Sequence, residues 1–193
     1  MRWLAPVGLL LFSLPGLRAQ ALEIEVRDVR FEQTREDWII MRIELRAGRN
    51  TLPDARNDRF IDDVLVRAIV SYEAPEEGFD FYTAEARIIS LETAENRAVY
   101  FCLPPEIVER DELRKDPFAW LVELEVLGNT LPIGRDNVSS NIPNAQAVAS
   151  FQERAAAAQA ETVGIFRPHY LAPPGLVRAE DTPSFYRTEP ELP

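Results

Sequence analysis

Residues 62–73 read DDVLVRAIVSYE. Val64, Val66, Ala68, Val70 and Tyr72 recur at every second position, and only an extended chain places such residues on one face. The same period runs outward in both directions. In LEIEVRDVRF (22–31) it aligns Leu22, Ile24 and Val26; in WIIMRIELRA (38–47) it aligns Ile39, Met41, Ile43 and Leu45. Downstream it aligns Tyr82, Ala84, Ala86 and Ile88, then Val99, Phe101 and Leu103, then Phe118, Trp120, Val122, Leu124 and Val126. Each run has one apolar face and one charged face, the pattern of antiparallel sheets with one side in a core and one in water.

Turn-forming residues separate the runs. Gly48, Asn50, Pro53 and Asp54 fall in one loop, Ala74 to Gly78 in a hairpin, and Thr93 to Asn96 in another turn. Six runs at this spacing, with a short seventh near residues 131–138, predict an all-β fold. The expected architecture is a two-sheet sandwich of the immunoglobulin or fibronectin III kind over residues 22–138. No Cys…Trp…Cys framework accompanies it.

Two segments break the alternation. PPEIVERDEL (104–113) reads as a short inserted helix, with Pro105 in its first turn and Pro117 barring continuation. Residues 139–163 are rich in alanine and glutamine and predict a C-terminal helix. Ser139, Ser140, Asn141 or Asn144 is available as its cap, and Pro143 for its first turn. Val148, Phe151, Ala155 and Ala158 form a narrow apolar stripe on it, too small in area to make the helix stable alone, so it must dock in cis or in trans. Gly164 is expected to end it. Residues 164–193 carry Pro168, Pro173, Pro174, Pro183, Pro190 and Pro193, and read as a flexible tail with scattered aromatics.

The first 21 residues combine Arg2, an apolar stretch from Trp3 to Leu17, and small residues at Ala19 and Ala21. This is the pattern of a secretory signal peptide cleaved after Ala21. The expected location is the periplasm or the exterior. No later apolar run is long enough to predict a membrane span in the mature chain. The formal net charge of −11 becomes −13 when Arg2 and Arg18 leave with the leader. A chain of that sign is repelled by nucleic acid and by anionic lipid surfaces.

The inventory of reactive groups is short. Cys102 is the single cysteine and His169 the single histidine. One thiol cannot form an internal disulfide; an intermolecular one stays open. A Cys–His pair needs the tail to fold back onto the strand of Cys102, and no G-x-S-x-G, H-E-x-x-H or C-x-x-C pattern occurs. Asp54, Asp58, Asp62 and Asp63 cluster around a loop without the order of an EF-hand. Asn137-Val138-Ser139 fits a glycosylation acceptor pattern. No catalytic residue, cofactor or metal site is predicted.

The side chains expected to meet a partner are Trp38, out of phase with Ile39 and Met41; Val148 and Phe151 on the helix stripe; and Phe166, Tyr170, Phe185 and Tyr186 in the tail. The alternative reading is a carbohydrate-binding sandwich that uses Trp38 as a platform.

VYFCLPPEIVERDELRKDPFAWLVELEVLG (99–128), followed by DNVSSNIPNAQAVASFQERAAAAQAETVGIF (136–166), resembles small exported immunoglobulin-like proteins of verrucomicrobial bacteria. Their genes accompany type IV pilus-like or type II secretion-like systems. The resemblance covers roughly residues 22–166 and rests on strand order, the LPPE helix and the Asn-Ile-Pro-Asn helix start. It implies a non-enzymatic envelope protein whose partners belong to the envelope or secretion machinery, with self-association open. It implies no active-site residues.

Overall fold

Thr34 closes the first hairpin: its backbone N–H donates to the Trp38 carbonyl, and its Oγ1 accepts from the N–H groups of Glu36 and Trp38. The computed structural model describes residues 22–53, 55–74 and 77–187. The expected leader (1–21) and residues 188–193 lie outside them.

That hairpin joins β1 (Ile24–Gln33) to β2 (Ile39–Ala47). The chain then crosses to β3 (Phe60–Glu73) and β4 (Phe79–Glu92), and returns as β5 (Asn96–Leu103). After helix α1 (Pro105–Arg110) come β6 (Ala119–Val126) and a two-residue β7 (Asn129–Thr130). Leu127 and Gly128, both at positive φ, make the tight turn between these last two. One sheet has the order β1-β2-β5 and the other β7-β6-β3-β4, all antiparallel. This is the strand division of an immunoglobulin-like sandwich of the fibronectin III kind.

The alternating residues behave as their period requires. Met41, Ile43 and Leu45 of one sheet meet Val64, Val66, Val70 and Ile88 of the other in one dry interior. Strand β1 contains a bulge: the register slips between Val26 and Asp28, so Val29 and Phe31 continue the inner face on odd numbers where Ile24 and Val26 used even ones.

Helix α2 (Ala145–Thr162) begins one residue after Asn144, whose side chain accepts from the Ala147 N–H at 2.9 Å. Pro143 therefore precedes the cap instead of filling the first turn. Gly164, at φ 74°, follows the end of the helix, where a left-handed residue is favoured. The helix docks in cis. Phe151 and Ala155 are buried on the outer face of the β6-β3-β4 sheet, against Ile69, Phe81, Ala119 and Leu121. Phe81 and Phe151 meet edge to face, with centroids 5.2 Å apart. The small side chains of the stripe let the helix lie close to the sheet.

The segment expected as a flexible tail instead packs on the sandwich as far as residue 187. Phe166 enters the main core at 3% exposure. Strand β8 (Arg167–Pro168) then pairs with the edge of β5, and β9 (Ser184–Tyr186) pairs with the edge of β4. Residues 165–187 therefore form a strap from one sheet to the other across the open side of the sandwich. Proline forbids helix and central strand, yet it is tolerated on an edge, where a missing N–H leaves no ladder partner unsatisfied.

Candidate functional site

On the opposite side of the sandwich no strap is present among the described residues. There β1 is the terminal strand of its sheet, and its outer edge is unpaired among the described residues. Facing it is the strand that follows β6, and that strand is interrupted. Pairing holds at Asn129 and Thr130, the chain leaves through a turn at Arg135–Asn137, and contact with β6 resumes where Val138 bridges Leu121. The return is anchored by polar bonds. Ser139 N–H donates to the Trp120 carbonyl at 3.0 Å, and Asn141 Nδ2 donates to the Phe118 carbonyl at 2.6 Å. Asn137 is buried, with Nδ2 donating to the Val122 carbonyl at 3.0 Å and Oδ1 accepting from Gly134 N–H. This asparagine fixes the turn.

The interruption leaves a trench between the two sheets. Two concavities, of about 870 Å³ and 680 Å³, share Val29, Trp120, Val138, Ser139 and Ser140, and so are halves of one feature. Val29, Phe31 and Trp120 are half-buried members of the main core that face it. Val148 of α2 lines the first half, while Glu32 and Asp116 line the second. Within β1, Arg27 pairs with Glu25 at 3.0 Å and Arg30 with Asp28 at 2.5 Å; no ion pair among the described residues engages Glu32.

The residues expected to reach partners are scattered. Trp38 is half-buried in the first hairpin, not an exposed platform. Phe151 and Phe166 are spent inside the molecule, under α2 and in the core. Tyr170 and Phe185 pack on the core beside His169. These four aromatics satisfy internal contacts because the strap and helix needed apolar surface to hold them down. Tyr186 stays 48% exposed on β9. Sequence reading missed the trench. The signal for it was the parity change from Val26 to Val29, which marks the bulge, and the polar run 134–141 where a seventh strand was expected.

The reactive groups are held apart. Cys102 lies fully buried opposite Arg167, and burial pushes its thiol up to about 12. His169 sits by Tyr100 with ring centroids 6.0 Å apart, and no hydrogen bond joins it to the thiol. Burial lowers the pKa of His169, against a hydrogen bond with the Tyr100 backbone that favours the charged form. Asp58 is engaged by Arg49 and Asp63 by Arg87, the latter holding its carboxyl below the usual range; Asp54 lies outside the described residues. No group of three or more His, Cys, Asp or Glu side chains with metal-binding geometry occurs among the described residues. No helix among them is long and apolar enough to cross a membrane.

The class defined by these features is a two-sheet immunoglobulin-like sandwich with a helix docked on one outer face. No protein-family model matches the chain, and no curated protein sequence does. A crystal structure of a protein from Akkermansia muciniphila, a verrucomicrobial bacterium, superposes with a TM-score of 0.64. The match covers 87% of this chain and 95% of that one at 11% sequence identity. At that identity the likeness is one of fold.

Proposed function

We propose that this protein is an exported, non-enzymatic interaction module of a bacterial cell envelope, accessory to type IV pilus-like or secretion machinery. The observation that carries the reading is the trench beside the unpaired edge of β1, where half-buried Val29, Phe31 and Trp120 border open space. Core residues left at a groove with a free strand edge suit contact with another protein. Support also comes from the leader-like residues 1–21 and from a verrucomicrobial neighbour of the same fold. Of the expected partner-binding set, Tyr186 on β9 is exposed and half-buried Val148 lines the trench.

The test is photo-crosslinking in the native envelope from a probe placed at Ser140, on the rim of the trench. The expected products are defined adducts with envelope or secretion-system proteins, together with a mature N-terminus at Leu22 by mass spectrometry. A cytoplasmic, uncleaved protein, or one that yields no adducts from the probe at Ser140, sinks the proposal.

A further inference from the structure

We infer that residues 28–33 of β1 accept an extended, basic segment of a partner protein as an added strand. This rests on the reading above that the protein acts by contact, and names the kind of partner. Three features select the occupant. First, an unpaired strand edge offers a row of backbone donors and acceptors, which only another extended chain satisfies along its length. The bulge at Arg27 guards the N-terminal half of β1, whereas residues 28–33 pair with β2 in unbroken register. That leaves a straight edge of about 20 Å.

Second, Val29, Phe31 and Trp120 border the trench from within, so an added strand with apolar residues at alternate positions would complete their burial. Third, the charge favours a cation along residues 29–32. That half of the trench is lined by Glu32 and Asp116, and Arg30, the cation among its lining residues, pairs with Asp28, while Arg135 and Asp136 line the other half together. Asp116 is 74% exposed, and among the described residues its one ion pair is with its neighbour Lys115 at 3.3 Å. The whole chain carries a net charge of −11, which opposes a second copy and draws a basic segment.

The probe is an acetylated, amidated heptapeptide of alternating valine and lysine, added to the isotope-labelled full exported protein. A valine–glutamate heptapeptide and a lysine version with a central proline serve as controls. We expect slowed amide exchange within residues 28–33 with the lysine peptide, and no slowing with either control. Glu32→Lys combined with Asp116→Lys changes two exposed side chains and should weaken the lysine peptide by about tenfold while admitting the glutamate peptide. No slowing at millimolar lysine peptide, slowing on another strand, or indifference to the charge reversal overturns the inference. So does a dimer through β1, seen as concentration-dependent mass in light scattering with the same residues protected. Envelope adducts at Ser140 without protection of β1 would leave the contact reading standing and remove strand addition alone.

Discussion

Phe166 stands on Phe101, ring centroids 5.5 Å apart and planes inclined at 45°. One ring belongs to a strand of the sandwich, the other to the chain just after α2. Through this pair the strap enters the core, so the C-terminal segment belongs to the domain. Phe166→Ala should therefore cost about 3–5 kcal/mol. Truncation after Val163 should cost at least as much, because it also removes β8 and β9. Urea denaturation of the three proteins checks both. A truncated protein as stable as the full chain would contradict this structure.

The strap should loosen in mild acid. His169 is enclosed by Tyr100, Tyr170 and Phe185, with Arg187 as the charged neighbour, and its Nδ1 is buried with no hydrogen-bond partner. Its folded pKa lies below the ordinary 6.5, first because of burial. The unfolded chain then binds more protons than the folded one in the window between the two values. Stability is thus full above pH 6.5 and declines as pH falls through that window. His169→Phe should flatten the urea midpoint between pH 5 and 7.5, relative to wild type. Equal slopes for both proteins would refute the assignment.

Cys102 should be inert. A fully buried thiol with a pKa near 12 has almost no thiolate at neutral pH. Iodoacetamide should leave it unmodified in the native protein and label it fully in denaturant. Rapid native labelling, or a disulfide-linked dimer on a non-reducing gel, would show that the strand pairing around Arg167 opens.

Tyr82 ties helix α1 to the sandwich. Its hydroxyl donates to Asp111 Oδ2 at 2.5 Å, and Arg110 beside that carboxylate holds its pKa low despite burial. Tyr82→Phe deletes a hydrogen bond to a charged acceptor and should cost about 1.5–3 kcal/mol. Faster amide exchange confined to residues 105–113 is the accompanying signature. Unchanged exchange there would mean that Val108 and Leu113 hold the helix by themselves.

Helix α2 should depend on one ring. Phe151→Ala removes the edge-to-face partner of Phe81 and should cost about 3 kcal/mol, with early proteolysis inside residues 145–162. A protease-resistant variant would place the docking energy in the alanines instead.

The strands were legible because burying one face of an extended chain imposes a strict period, and residues 39–45 and 64–72 keep it. The docked helix was half legible. Ile69, Phe81 and Leu121 break the wet face of their strands, and a broken wet face calls for cover. The trench left only indirect marks, the parity change from Val26 to Val29 and the polar run 134–141, since period two says nothing about a missing neighbour.

Sequence alone determined the two layers, roughly where along the chain both helices form and the paucity of reactive groups, since periodicity, capping and composition are local properties. Tertiary structure alone decided that residues 165–187 form a strap, that Phe166, Tyr170 and Phe185 pack inward, and that β1 keeps an open edge among the described residues. Those outcomes depend on which distant surfaces meet, and proline and aromatic residues suit an edge in the domain as well as one in a partner.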